Sequence, residues 1–163
     1  MKGKNIMIEI DIGQQKLWLK QGDMILNEYS VSTARNGPGE QQDSECTPRG
    51  LHEIAEKIGS DSLPGTVFVS RKPTGETYHP ELRKQHPDRD WILTRILWLR
   101  GLEPGKNNGD PRDSYNRYIY IHGSPDDVAM GAPGSRGCIR MRNADVIELF
   151  DRVDTGTRVE IHE

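Results

Sequence analysis

A histidine and a cysteine lie sixteen residues apart in one short segment of the chain. His122 ends the aromatic and β-branched run YIYIH, and Cys138 opens a second apolar run after a loop rich in Gly, Pro and Ser. An ordinary thiol has a pKa of about 8.5, so it becomes a useful nucleophile when an imidazole and positive charge stabilise the thiolate. The pair predicts a cysteine nucleophile with a histidine base. A buried cysteine beside a hydrogen-bonded histidine is the non-catalytic alternative.

Positive charge and a glycine surround the cysteine in the sequence. Arg136, Arg140 and Arg142 flank Cys138, and Gly137 precedes it directly. The arginines are expected to lower the pKa of the thiol. A residue without a side chain lets a backbone N–H approach a substrate oxygen closely, so we expect the N–H groups of Gly137 and Cys138 to hold an oxyanion. The forked guanidinium of Arg140 suits a substrate carboxylate, with a structural ion pair as the alternative.

This segment resembles the active-site signature of the L,D-transpeptidase catalytic domain, the YkuD-type domain. In that family His-Gly is followed, after a loop, by Ser-His-Gly-Cys and then by an apolar residue with Arg or Asn. The chain has His122-Gly123 and later SRGCIRM from Ser135 to Met141. It departs from the signature at Arg136, where the family usually has a second histidine. The resemblance extends to TPRG at 47–50 and, in a proteobacterial branch of the family, to the runs ILWL, GLEPG and RYIYIH in the same order, and therefore covers nearly all of the chain.

The resemblance implies a fold, a reaction and the roles of three residues. The fold would be a mainly β, sandwich-like single domain over residues 1–163, with one short helix at about 143–152. The Cys138 thiolate would attack the L-centre carbonyl of the diamino acid at position three of a peptidoglycan stem peptide, releasing the terminal D-alanine and leaving a thioester. His122 would be the general base and acid, oriented by the backbone carbonyl of Gly123. An amine acceptor would then take the acyl group.

Ser135, Arg136 and Arg140 are assigned to substrate binding. A guanidinium stays charged and cannot act as a base, so Arg136 cannot replace a histidine in proton transfer. If it faces the site, it should lower the pKa of Cys138 and let activity persist towards lower pH; if it faces solvent, its substitution should hardly matter. No cofactor is expected. A metal site is not expected either, because the loop histidines at 79 and 86 lack a cysteine or carboxylate at ligand spacing.

Other functions remain open on the residues alone. A sortase-like transpeptidase also places His before Cys, but its arginine follows a Thr-rich strand that this chain lacks. A papain-like or cell-wall amidase fold would place Cys before His, which is the reverse order. An L,D-carboxypeptidase, which uses water as the acceptor, and a catalytically weak peptidoglycan-binding module stay as alternatives. The acceptor could be a second stem peptide, a lipoprotein, a free D-amino acid or water.

Composition limits the choice of partners and compartment. The 163 residues carry a net charge of -3 and a pI near 6.0, which gives no basic footprint for nucleic acid. No run of about 18 apolar residues could span a membrane. The first residues lead directly into strand sequence, which predicts no secretory leader. The expected substrate nevertheless implies an extracytoplasmic protein, in the periplasm or cell wall. We expect a monomer, and with two cysteines no disulfide framework.

Periodicity predicts the elements that hold the site. Period-two alternation and β-branched runs predict strands at 6–12, 16–20, 24–33, 51–58, 66–70, 91–99, 118–122 and 157–162. Residues 71–89 are expected to be surface loop, and Tyr118 and Tyr120 are expected to pack in the sheet. Asn143 is predicted to cap a helix whose apolar face is formed by Val146, Leu149, Phe150 and Val153.

Overall fold

The computed structural model describes residues 5–163; residues 1–4, which belong to the stretch where the sequence predicts no secretory leader, lie outside the described part. Residues 5–163 form ten strands and two helices. The strands are β1 (Ile6–Asp11), β2 (Lys16–Gln21), β3 (Met24–Ser30), β4 (Gly50–Ile58), β5 (Thr66–Val69), β6 (Lys72–Thr77), β7 (Ile92–Gly101), β8 (Tyr120–Ser124), β9 (Ile139–Arg142) and β10 (Arg158–His162), and the helices are α1 (Pro80–Gln85) and α2 (Asn143–Arg152). The predicted mainly β fold is confirmed.

All ten strands are joined in one hydrogen-bonded sheet. Its main path runs β3-β2-β1-β10-β4-β7-β5-β6. β8 leaves this path: it pairs antiparallel with β7 and parallel with β9. The first and last strands of the described chain, β1 and β10, lie side by side in parallel, with Ile8 opposite Val159. The sheet therefore brings residues that are distant in sequence together around β7 and β8.

The main core lies between one face of the sheet and α2. The alternation predicted for the first strands holds, since Ile8, Ile10, Leu17 and Leu19 are fully buried there. A separate apolar cluster lies around Trp98 of β7, with Phe68, Ile96 and Tyr120 buried and Cys138 packed against them. The cysteine thus belongs to a small cluster that is distinct from the main core.

Two segments differ from their sequence-based predictions. The strand predicted at 24–33 ends at Ser30, because the chain then leaves β2 and Ser32 exchanges two backbone hydrogen bonds with Arg140, at 3.0 and 2.9 Å. The predicted loop at 71–89 contains β6, which pairs with β5, and the six-residue helix α1. Proline at the first turn suits the start of α1. Its Leu82 packs against Trp91 and accounts for the ordered structure in a polar stretch.

The helix predicted near 143–152 is present as α2, but its cap is not the predicted one. Arg142 occupies the N-cap position without a side-chain cap, and Asn143 is already the first helical residue. The Asn143 side chain instead accepts a hydrogen bond from Thr94 at 2.6 Å and donates one to Asp126 at 3.1 Å. The apolar face is buried as predicted, including Leu149.

Within residues 5–163, no helix is long and apolar enough to cross a membrane.

Removing a buried leucine from α2 should cost stability. Leu149 is fully buried in the main core, so Leu149→Ala is expected to lower the free energy of unfolding by about 2–5 kcal/mol through lost burial and a residual cavity. Leu63→Ala is the matched control: Leu63 is 74% exposed, and its loss should change stability by less than about 0.5 kcal/mol. Urea denaturation of the three proteins measures both values. Equal midpoints for the two variants would contradict the packing described for α2.

Candidate active site

His122 lies in the middle of β8 rather than at its end. It faces Ile96 of β7 on one side and Arg140 of β9 on the other. The side chain is fully buried, and Nδ1 is 2.6 Å from the carbonyl oxygen of Gly123. A carbonyl can only accept, so Nδ1 carries the proton and Nε2 keeps its lone pair. Nε2 is buried and has no hydrogen-bond partner among residues 5–163.

The surroundings of His122 favour the neutral ring. Burial lowers the pKa of His122, and the positive charge of Arg140 lowers it further. The carboxylate of Asp90 and the carbonyl of Gly123 act in the opposite direction, and burial prevails. A neutral imidazole with a free Nε2 lone pair can accept a proton, which is the chemistry required of a general base.

Cys138 is half-buried directly before β9 and lines a cavity of about 380 Å³. Its Sγ accepts a hydrogen bond from the Tyr120 N–H at 3.3 Å and donates one to the Tyr118 carbonyl at 3.3 Å. The backbone of residues 118–120 therefore holds the thiol through these two hydrogen bonds. In the described chain it makes no hydrogen bond with His122, and such catalytic contacts often tighten only when substrate binds.

The thiol itself is not activated in this state, contrary to the sequence-based expectation. Burial raises the pKa of Cys138 to about 12, and the carboxylate of Asp90 adds to the rise. The Tyr120 N–H and the positive charges of Arg140 and Arg117 lower the pKa, but they do not offset burial. The expected lowering by neighbouring arginines is thus outweighed, and at neutral pH the resting pair is a neutral thiol and a neutral imidazole.

The loop before Cys138 is fixed by its own hydrogen bonds. Gly137 has φ +130°, a conformation suited to glycine, and its N–H donates to Ser135 Oγ at 3.1 Å. Ser135 Oγ in turn donates to the Cys138 carbonyl at 2.5 Å, and Thr47 Oγ1 donates to the Gly137 carbonyl at 2.9 Å. The Gly137 N–H, predicted to hold an oxyanion, is therefore occupied by Ser135. Ser135, predicted to bind substrate, is buried and shapes this loop.

The two arginines assigned to substrate binding occupy different environments. Arg136 is exposed, lines the same cavity as Cys138 and donates to the Asp88 carbonyl at 3.1 Å. Arg140 is half-buried, lies 3.5 Å from Asp90 and donates to the Gly134 carbonyl at 3.1 Å. The contacts of Arg140 are those of the structural ion pair, which was the alternative reading. Arg136 remains available at the cavity.

Three residues at the cavity were missed by the sequence reasoning. Arg71, Arg117 and Asp90 line it together with Arg136, and no carboxylate of the described chain pairs with Arg71 or Arg117. Arg71 donates to the Tyr120 hydroxyl at 3.0 Å, and Arg117 donates to the Cys46 carbonyl at 2.7 Å. Three guanidiniums against one carboxylate make the cavity positive. The sequence does not predict this cluster, because the residues lie far apart in the chain and only the pairing of strands brings them together.

The tyrosines before His122 also differ from one another. Tyr120 is buried, with its ring edge-on to Trp98 at 5.7 Å, as expected for sheet packing. Tyr118 is 52% exposed and lines the cavity, so the expectation that it packs in the sheet is wrong. Its φ of +58° turns the chain just before β8 and presents its carbonyl to the thiol. Both cysteines, Cys46 and Cys138, are free thiols.

Comparison with known proteins places this geometry in a family. The model of the YkuD L,D-transpeptidase catalytic domain matches residues 5–161. The chain is 49% identical over 99 residues to a protein of Escherichia coli K12 named "Probable L,D-transpeptidase ErfK/SrfK", covering 57% of this chain and 30% of that protein. It is 32% identical over 105 residues to another from the same strain, named "Probable L,D-transpeptidase YbiS", covering 64% and 34%. The chain thus spans about a third of the length of these relatives.

Solved structures show the same fold at low sequence identity. The L,D-transpeptidase LdtMt1 in complex with imipenem superposes with a TM-score of 0.58 at 19% identity, covering 98% of this chain and 59% of that one. An L,D-transpeptidase from Mycobacterium smegmatis gives 0.57 at 16% identity, covering 98% and 59%. Because the family model matches almost the whole chain and the fold agrees, this protein belongs to the YkuD family of L,D-transpeptidase catalytic domains.

Proposed function

We propose that this protein is a cysteine-dependent L,D-transpeptidase that acts on peptidoglycan stem peptides. The observation that carries the proposal is the Cys138 thiol at the wall of a cavity lined by Arg71, Arg117 and Arg136. A stem peptide carries carboxylates, and guanidiniums bind carboxylates through paired hydrogen bonds. Membership of the L,D-transpeptidase family supports the same reaction.

In the proposed acylation, the resting neutral pair passes one proton as the new bond forms. Cys138 Sγ attacks the L-centre carbonyl carbon of the diamino acid at stem position three, while Nε2 of His122 takes the thiol proton. The C–N bond to the terminal D-alanine then breaks, and His122 returns the proton to the departing amine. The product is a thioester on Cys138. Gly123 keeps its role as the acceptor of the Nδ1 proton throughout.

The developing oxyanion needs a donor at the cysteine. The Gly137 N–H is held by Ser135 at 3.1 Å, so the Cys138 N–H is the donor that we retain from the predicted pair. Arg136 at the cavity and the neighbouring Arg71 would hold carboxylates of the stem peptide. An acceptor amine then attacks the thioester and releases the thiol. With water as the acceptor, the same intermediate gives an L,D-carboxypeptidase.

Two observations favour a second candidate, a catalytically weak peptidoglycan-binding module. The raised pKa of Cys138 and the absence of a hydrogen bond to His122 in the described chain would both suit a site that binds stem peptides without turning them over. The positive cavity serves either function. Because the substrate class lies outside the cytoplasmic membrane, we place the working protein in the periplasm or cell wall, as a monomer, with peptidoglycan stem peptides as its partners.

Acylation by a carbapenem tests the nucleophile. Incubation with imipenem should add one drug mass to the protein in intact-mass spectrometry, and Cys138→Ala should abolish the adduct because it removes the attacking sulfur. His122→Ala should slow the reaction nearly as much, since the two residues act as a unit. Cys46→Ala is the matched control, because Cys46 is the other free thiol and should leave the adduct intact. An adduct that persists in Cys138→Ala would remove this cysteine from the mechanism.

The pH profile of thiol alkylation tests the electrostatics. Burial and Asp90 both raise the pKa of Cys138, so removing the negative charge in Asp90→Asn should lower that pKa by roughly half a unit to one unit. The thiolate would then be present at lower pH, and the rate-against-pH curve for iodoacetamide should shift to lower pH. Asp127→Asn is the control, since this exposed carboxylate pairs with Arg83 at 2.8 Å. A shift to higher pH in Asp90→Asn would be the opposite of what the geometry requires.

The same measurement decides the part played by Arg136. Its charge lies at the cavity but is exposed, where water screens it. If the charge reaches the thiol, Arg136→Ala should raise the midpoint of the alkylation curve by roughly half a unit, since a cation stabilises the thiolate. Superimposable curves would show that Arg136 has no electrostatic part in activating Cys138 and would leave it a substrate-binding role alone.

A further inference from the structure

We infer that Thr94 and Asn143 are positioning residues for His122, acting through Gly123 from the opposite face of the sheet. The inference rests on the proposed function, in which His122 is the base. It assigns a purpose to Asn143, whose predicted cap role the structure does not support. Neither residue lines the cavity of Cys138, so neither is placed to touch the substrate.

Thr94 has a backbone conformation that its side chain does not favour. It lies within β7 at φ +76°, where a β-branched residue is strained, and it is fully buried. Such conformations persist when surrounding contacts fix them, and they occur preferentially at functional sites. The contacts here come from its hydroxyl, which accepts from the Gly65 N–H at 3.0 Å and donates to Asn143 Oδ1 at 2.6 Å. The strained backbone conformation of Thr94 is thus stabilised by two hydrogen bonds, both made by its hydroxyl oxygen.

Asn143 links β7 to the loop after β8 and to the start of α2. It is the first residue of α2 and follows β9 directly. Its amide group donates to Asp126 at 3.1 Å, in the loop that follows β8. The hydrogen-bonded series Thr94–Asn143–Asp126 therefore ties β7, the end of β8 and the start of α2 together. The relative placement of these elements determines the orientation of the His122 ring.

Gly123 is the point of contact between this series and the imidazole. A Cβ at Gly123 would lie 2.5 Å from Asn143 Oδ1, 2.6 Å from the Leu93 carbonyl and 3.1 Å from Thr94 Cβ. Successive residues of a strand point to opposite faces, so these atoms lie against Gly123 on the face away from the His122 side chain. The Gly123 carbonyl accepts the Nδ1 proton of His122, which has no other hydrogen-bond partner in the described chain.

The contacts behind Gly123 affect the direction in which Nε2 of His122 points. A fully buried ring held by a single hydrogen bond takes its orientation from the peptide that accepts it. If Thr94 and Asn143 no longer pack behind Gly123, the Gly123 peptide can shift and the ring is no longer held in the orientation in which Nε2 would take the thiol proton. A misplacement of about 1 Å in a catalytic group can cost about 100-fold in rate. Binding of substrate should be unaffected, because neither Thr94 nor Asn143 lines the cavity.

The test compares Thr94→Val with Thr94→Ser and with a control at another threonine. Thr94→Val removes the hydroxyl with little change of shape, and should lower kcat of stem-peptide turnover about 10- to 100-fold, with KM changed by less than about twofold. Thr94→Ser keeps the hydroxyl and should restore kcat. Thr66→Val is the control, because the Thr66 hydroxyl donates to the exposed Leu63 carbonyl and should have no effect. Asn143→Ala should resemble Thr94→Val.

A second readout is independent of turnover. In the wild type and in Thr94→Ser, the Nδ1–H of His122 should give a slowly exchanging proton signal in nuclear magnetic resonance spectra; in Thr94→Val that signal should broaden or vanish. Thr94→Gly relieves the backbone strain yet lacks the hydroxyl, so a folded Thr94→Gly protein with the same loss separates positioning from stability.

The outcomes are distinguishable. A wild-type protein that forms no imipenem adduct refutes the proposed function, and the imidazole signal still decides the positioning. Unchanged kcat and an unchanged Nδ1–H signal in Thr94→Val overturn the inference. A raised KM with unchanged kcat also overturns it, because that pattern indicates a substrate contact.

Discussion

The placement of β8 between β7 and β9 is the constraint on which the site depends. β8 pairs antiparallel with β7 and parallel with β9, so His122 is enclosed on both sides and has no access to bulk water. A parallel pair needs a long connection, and residues 125–138 supply it. That connection ends in the loop that carries Cys138. One pairing therefore buries the histidine and returns the cysteine to the same end of the sheet.

Burial decides the charge state of both groups. It lowers the pKa of His122 and raises that of Cys138, so both shifts favour the neutral pair over the thiolate–imidazolium pair. In the proposed reaction, a proton passes from the thiol to the imidazole as the new bond forms. The carboxylate of Asp90 raises the pKa of both groups, because its negative charge favours the imidazolium and disfavours the thiolate.

Charge at the cavity wall comes from residues that are spread widely along the chain. Arg71 follows β5, Arg117 precedes β8, and Arg136 lies in the loop before Cys138. They meet because β5 and β8 both pair with β7, where Val67 and Gly123 each lie opposite Leu93. The net charge of the whole chain is -3, so the positive cavity is a local feature on an acidic protein. Such a local field can attract an anionic ligand.

Much of the fold could be predicted from the periodicity of apolar residues. The alternation at Ile8 and Ile10, for example, indicates a strand with one buried face, and this prediction needs no knowledge of the strand's partners. Errors occurred where long-range contacts replaced local ones. The segment after Ser30 pairs with Arg140 instead of β2, and Asn143 bonds to Thr94 instead of capping its helix. Local sequence carries no information about such partners.

The family and the two candidate catalytic residues follow from the sequence alone, because His122 and Cys138 stand in an ordered motif with characteristic neighbours. The three-dimensional structure was needed to find the direction in which the pKa of Cys138 shifts, since that direction depends on how deeply the sulfur is buried. It also decided that the Gly137 N–H is occupied and that Thr94 lies behind Gly123. Each of these facts depends on distances between residues far apart in the chain, which only the pairing of strands fixes.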